Sequence, residues 1–148
     1  MSVAAGGSLP ISSTTSPSNA GLRGTLAIGF SPIPSTPEIL LAVRGSYDRF
    51  MGNSPTRGIK SLYSAIGELQ FYPSAESPQR WYLLLGAGIG HADQQFAKVT
   101  DPLGCIGVGA EISVKKRIRY QVELRLSDLS NSTYGDLRYL SLSVGLKF

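Results

Sequence analysis

The feature that most constrains this chain is strict two-residue alternation. Toward the C-terminus, Leu140, Leu142, Val144, Leu146 and Phe148 alternate with Tyr139, Ser141, Ser143, Gly145 and Lys147. Before them, Ile118, Tyr120, Val122, Leu124 and Leu126 alternate with Arg119, Gln121, Glu123, Arg125 and Ser127. Earlier still, Ile106, Val108, Ala110, Ile112 and Val114 alternate with Cys105, Gly107, Gly109, Glu111 and Ser113. A strand sends successive side chains to opposite faces, so each segment is a strand with one greasy face and one small or polar face.

The pattern continues upstream. Leu83, Leu85, Ala87 and Ile89 oppose Leu84, Gly86, Gly88 and Gly90, and Tyr63, Ala65, Leu69 and Phe71 oppose Ser64, Glu68, Gln70 and Tyr72. Ile39, Leu41, Val43 and Tyr47 oppose Arg44, Ser46 and Asp48; Leu22, Leu26, Ile28 and Phe30 oppose Arg23, Thr25, Ala27 and Gly29. A first strand over Val3–Ile11 is the weakest, because Gly6, Gly7 and Pro10 interrupt it. The total is about eight strands. The 17 glycines fall largely inside apolar segments, where a helix would lose roughly 1 kcal/mol at each. The nine prolines read as punctuation at segment ends or between segments. Polar connections are expected at 12–20, 31–37, 52–60, 74–80, 94–104, 115–117 and 131–136, with Gln94–Gly104 the longest and Lys115–Arg117 the tightest.

Alternation alone does not say which face is inside, since a soluble lipocalin-like barrel carrying a small apolar ligand alternates too. The face opposite the greasy one is glycine, serine and alanine with isolated charges, and charged residues make up only 16% of the chain, against roughly 25% in soluble domains. That composition suits the cramped interior of a small barrel better than a solvated exterior. No apolar run approaches the roughly 18 residues of a membrane helix, so any crossing must use strands, about ten residues each. Phe30, Phe71, Tyr72, Trp81, Tyr82 and Phe148 fall toward one rim and Tyr47, Phe50, Tyr63 and Phe96 toward the other, as two interfacial belts would. The expectation is an all-β, eight-stranded antiparallel up-and-down transmembrane β-barrel in a single domain over residues 1–148.

The ending Leu142-Ser143-Val144-Gly145-Leu146-Lys147-Phe148 resembles the C-terminal β-signal of bacterial outer-membrane proteins, with a final aromatic, apolar alternation before it and a nearby glycine. The stretch Trp81–Gly90, with its Gly86-Ala87-Gly88 core, is similar to strands of the OmpA-like and OmpX-like barrel families. So is Gly107-Val108-Gly109-Ala110-Glu111, with the basic turn and long strand that follow it to Leu126. The resemblance covers most of the chain from Gly21 onward and reaches weakly to Val3. It does not extend to cell-wall anchoring, since these residues hold no peptidoglycan-binding domain of the OmpA kind. It implies a lipid bilayer as partner, localisation in the bacterial outer membrane, and insertion by the outer-membrane assembly machinery, with Val144, Gly145, Leu146 and Phe148 as the assembly signal. It also implies an export signal; Met1 is followed by small and polar residues, so either that signal has been removed from this chain or the protein is cytosolic, which would favour the soluble carrier.

The polar face carries the candidate site. Arg23, Arg44, Asp48, Glu68, Glu111, Arg119, Glu123, Arg125 and Lys147 share the inward set, and buried charges must be paired. The expectation is a lumen network of ion pairs that blocks water flow. Glu111 and Glu123 as a catalytic acid–base couple is the sharper alternative, disfavoured because neighbouring arginines would hold both ionised. His91, the only histidine, has no Cys or His near it in sequence to form a metal site, and no Gly-x-Ser-x-Gly elbow is present. A membrane enzyme is the weakest of the alternatives. Gly86-Ala87-Gly88-Ile89-Gly90 has the wrong spacing for a dinucleotide loop. Asn131-Ser132-Thr133 matches a glycosylation acceptor, which carries little weight in a bacterial setting. Lys115-Lys116-Arg117 reads as a solvated turn near anionic headgroups. Cys105 stands alone, so no internal disulfide forms, and the scattered charge of +4 gives little support for nucleic-acid binding. No cofactor, metal or catalytic residue is assigned. The function expected is a structural or surface-interaction role, with outer loops including Gln94–Gly104 and Asn131–Asp136 as the contact surface.

Overall fold

The computed structural model describes residues 1–13, 20–32, 36, 38–51, 59–73, 77, 79–94, 98–115, 118–130 and 137–148, apart from the side chains of residues 12, 13, 94 and 115. Eight strands follow one another: β1 Ser2–Ser13, β2 Gly21–Phe30, β3 Ile39–Phe50, β4 Ile59–Phe71, β5 Gln79–Gln94, β6 Lys98–Lys115, β7 Ile118–Leu129 and β8 Leu137–Lys147. Each pairs antiparallel with its sequence neighbour, and β1 pairs with β8 to close the ring. That seam runs from Ser2↔Lys147 to Ser13↔Leu137. Beyond it the Phe148 amide donates to the Met1 carbonyl at 2.9 Å. Both ends of the chain therefore lie at one rim, called here the terminal rim, with the 115–118 turn; the 50–59, 94–98 and 129–137 connections lie at the opposite rim.

The greasy face points outward. Ile112, Leu124 and Val144 are 50%, 41% and 56% exposed, whereas Glu123 and Arg125 on the alternate parity are 3% and 1% exposed. A soluble carrier needs the reverse arrangement, so the lipocalin-like alternative does not fit this geometry.

Three sequence expectations are corrected. The segment 98–104 is strand, not loop: Pro102 pairs with Ile89 and Leu103 with Gly88, so β5 and β6 form one long hairpin. Pro102 is tolerated because β7 pairing starts only at Leu103↔Leu129, and the Pro102 carbonyl still accepts from the Ser130 amide at 3.1 Å. Pro10 likewise lies inside β1, beyond the last β2 pairing at Ser8↔Gly21 and beside a register shift against β8. Both prolines sit where their strand has a single neighbour.

The aromatic belts are thinner than the sequence suggests. Phe30, Phe71, Trp81 and Phe148 are exposed at the terminal rim, and Tyr47 and Tyr63 stack outside toward the opposite rim, 4.8 Å between centroids. Tyr72 and Tyr82, one residue on from Phe71 and Trp81, have the other parity and are buried inside, as is Phe50. Phe96, residues 116–117 and the loop 131–136 lie outside the described residues.

Inside, neighbouring backbones come close at β4 and β5, where a Cβ on Gly88 would overlap the Ala65 carbonyl and Ile66 Cα. Gly88→Val is expected to lower the unfolding free energy by about 1–3 kcal/mol. Gly104→Ala, where nothing lies within 4 Å of the added carbon, should leave it unchanged. Urea titration followed by tryptophan fluorescence in detergent micelles measures both.

Candidate functional site

The inward side chains form an apolar layer and three charged groups. Toward the opposite rim, Phe50, Leu62, Ala92, Leu103, Leu129, Leu137 and Tyr139 are buried together. The inner face reads from sequence as glycine, serine and alanine with isolated charges; this end is greasy instead because inward parity there falls on leucines. The first charged group adjoins it: Asp48 accepts from Ser8 and pairs with Arg23 at 3.4 Å, while Arg23 donates to Ser46 at 3.2 Å.

The second group occupies the middle of the barrel. Arg44 donates from Nε to Glu68 at 2.7 Å and from Nη2 to Glu123 at 3.0 Å. Arg125 reaches the same two acids, Glu68 at 2.6 Å and Glu123 at 2.8 Å. Two guanidiniums and two carboxylates thus form a closed square, all but removed from solvent. Its corners come from β3, β4 and β7, so it ties together opposite walls. Remaining lone pairs are met by neighbours: Gln70 donates to Glu68 at 3.2 Å and the Tyr82 hydroxyl to Glu123 at 2.8 Å. Gln121 donates to both the Tyr82 hydroxyl and Glu123. Gly109 makes this possible, because any side chain there would occupy the Tyr82 ring. Cys105 Sγ lies 3.6 Å from Arg125 Nη1, on the lumen side.

The third group lies at the terminal rim around Glu111, which is fully buried. Lys147 Nζ donates to it at 2.7 Å and Arg80 Nη2 at 2.8 Å, with Arg119 Nη1 at 4.0 Å. The Tyr72 hydroxyl lies 2.7 Å from Glu111 and accepts from Lys147 at 2.8 Å. Its ring carries the Arg80 guanidinium 4.6 Å above the centroid.

All nine charges named from sequence therefore point inward, but they divide into three groups. Glu111 and Glu123 belong to different ones, with no direct hydrogen bond between the two acids; the Tyr72 hydroxyl, 2.9 Å from Gln70 Oε1, and Gln70 link the two groups. Arg80 was missed because it was placed in a connection; its parity with Tyr82 and Leu84 is the signal that finds it. Ser8, Gln70, Tyr72, Tyr82 and Gln121 were missed as ligands, since neutral residues carry no mark of pairing in a sequence. His91 lies on the outer wall with Nδ1 2.8 Å from Thr100 Oγ1. Val144 and Leu146 face outward on β8, with Gly145 between them on the inner side, and Phe148 is exposed just beyond the strand.

No protein-family model matches the chain, and no curated protein matches it in sequence. Solved structures do match. Neisserial surface protein A superposes with a TM-score of 0.78 over 99% of this chain and 96% of its own, at 19% identity. This is the fold of the eight-stranded outer-membrane barrels. The outer-membrane enzyme PagL has it as well, with a TM-score of 0.69, 13% identity and complete coverage of both chains. So does Ail, the attachment invasion locus protein of Yersinia pestis, with a TM-score of 0.56, 15% identity and coverage of 99% and 97%. At these identities the likeness is one of architecture.

Removing one acid of the central square leaves two buried guanidiniums sharing a single carboxylate. Glu123→Ala is expected to cost about 3–5 kcal/mol of stability. A double-mutant cycle with Arg44→Ala, read by urea unfolding in micelles, should return a coupling energy well above zero.

Proposed function

We propose that the protein is a bacterial outer-membrane barrel, closed to solute flow, whose role is structural or one of contact at the rim opposite the termini. The observation that carries this reading is the pairing of an apolar outer wall with an interior crossed by a closed square of ion pairs. Lipid tolerates such a wall and water does not. An eight-stranded ring has room for little more than its own side chains. The shortest connection, 115–118, lies at the terminal rim, which supports putting that rim on the periplasmic side, where bacterial barrels carry their tighter turns; the other terminal-rim connections, 30–39 and 71–79, are as long as those opposite. The opposite rim then faces outward and presents Arg49, Lys60, Lys98 and Arg138 on its exposed surface. Neisserial surface protein A and the attachment protein Ail share the fold, which favours the contact role.

Catalysis is the competing reading, favoured by the likeness to the enzyme PagL. His91, the only histidine, would be its base, with the Thr100 hydroxyl beside it on the outer wall. We place it second, because no described acid is bonded to that pair.

Purified protein added to planar lipid bilayers should insert without steady single-channel steps. Discrete ohmic steps would overturn the closed interior, and recovery of folded protein from cells without detergent would overturn the membrane placement. The assembly machinery is the proposed partner of the last strand. Phe148→Ala should reduce outer-membrane yield several-fold while leaving refolding in detergent unchanged, as gel mobility with and without heating would report.

A further inference from the structure

At the terminal rim the inward charges do not balance. Arg80, Arg119 and Lys147 surround a single carboxylate, Glu111, a formal surplus of two positive charges. The register produces this. Arg119 and Lys147 are direct partners across β7 and β8, while Glu111 faces Arg80 across β5 and β6. Like charges placed opposite one another on a ladder repel, so the first pair needs an anion near it.

Glu111 meets only part of that need. It accepts hydrogen bonds from Arg80 and Lys147, but Arg119 Nη1 stands 4.0 Å away, beyond hydrogen-bond length. That nitrogen is shielded from water and has no hydrogen-bond partner among the described residues. The group is nonetheless open to small solutes, since the Arg119, Lys147 and Arg80 side chains keep 28%, 18% and 16% exposure. Each cation also precedes an exposed, outward aromatic: Trp81, Tyr120 and Phe148. If those rings sit at the membrane interface, as such rings prefer, the cations lie just inside the wall at headgroup height.

We infer that this mouth binds a phosphate-type oxyanion. Arg119 supplies a planar donor edge suited to two phosphate oxygens, and Lys147 a point charge beside it. Arg80, already held by Glu111 and Tyr72, adds field more than bonds. The phosphate is either free inorganic phosphate entering from water or the headgroup of an anionic phospholipid bent over the rim.

The test is calorimetric titration of inorganic phosphate into the full chain held in phosphatidylcholine nanodiscs. Saturable binding is expected, weakened about tenfold or more in Arg119→Gln. Lys147→Gln is an independent arm should that variant fail to fold. Arg138→Gln, which removes an exposed pair with Asp128 on the opposite rim, should change nothing. Folded Glu111→Gln loses the competing carboxylate and should bind more tightly. Discs containing phosphatidylglycerol separate the sources: weaker phosphate uptake there identifies the headgroup as occupant, and equal uptake identifies the free ion. Absence of saturable binding in phosphatidylcholine discs would overturn the assignment. So would wild-type affinity in both Arg119→Gln and Lys147→Gln, or weaker binding in Glu111→Gln.

Discussion

Ring closure is the constraint from which the remaining features follow. A strand gives alternate side chains to opposite sides, and joining β1 to β8 turns those sides into an outside and an inside. No sheet edge is left to be satisfied elsewhere, so the wall can stand in a medium that offers no hydrogen bonds. The same closure fixes a narrow interior. Charges admitted to it have little water to lean on, and each must find its partner across a few ångströms of protein.

That requirement accounts for which residues appear where. In the central square both cations are arginines, whose forked donors reach two acids at once; Arg44 and Arg125 each bridge Glu68 and Glu123. The lysine is confined to the mouth, where Lys147 keeps some contact with solvent. At the other end water is excluded differently, by leucines and aromatic rings whose packing needs no partners. The interior is thus graded along its axis, from grease through balanced pairs to a surplus of positive charge.

Much of this was legible in the residues. Alternation located all eight strands and placed the nine charges on one side, because parity is a local property that survives whatever the register turns out to be. The grouping of those charges was not legible. Arg44 and Glu123 are 79 positions apart, and only the stagger of intervening strands brings them together. Aromatic positions misled where Tyr72 and Tyr82 follow Phe71 and Trp81, since residue type suggested a belt while parity sent them inward. Pro102 misled for a related reason. Its missing donor matters only if two strands flank it, and a sequence does not show where β7 stops.

The seam between β1 and β8 sets the order in which this molecule comes into being. Ser2 meets Lys147, so the contact that completes the circle joins residues at opposite ends of the barrel sequence and carries the heaviest loop-closure entropy of any strand pairing in it. Hairpins such as β5–β6 can zip locally beforehand, yet each such intermediate carries two bare flanks until the last segment docks. The process is therefore committed at its end rather than its beginning, and a nascent chain must be kept from neighbours of its own kind for as long as that final docking takes.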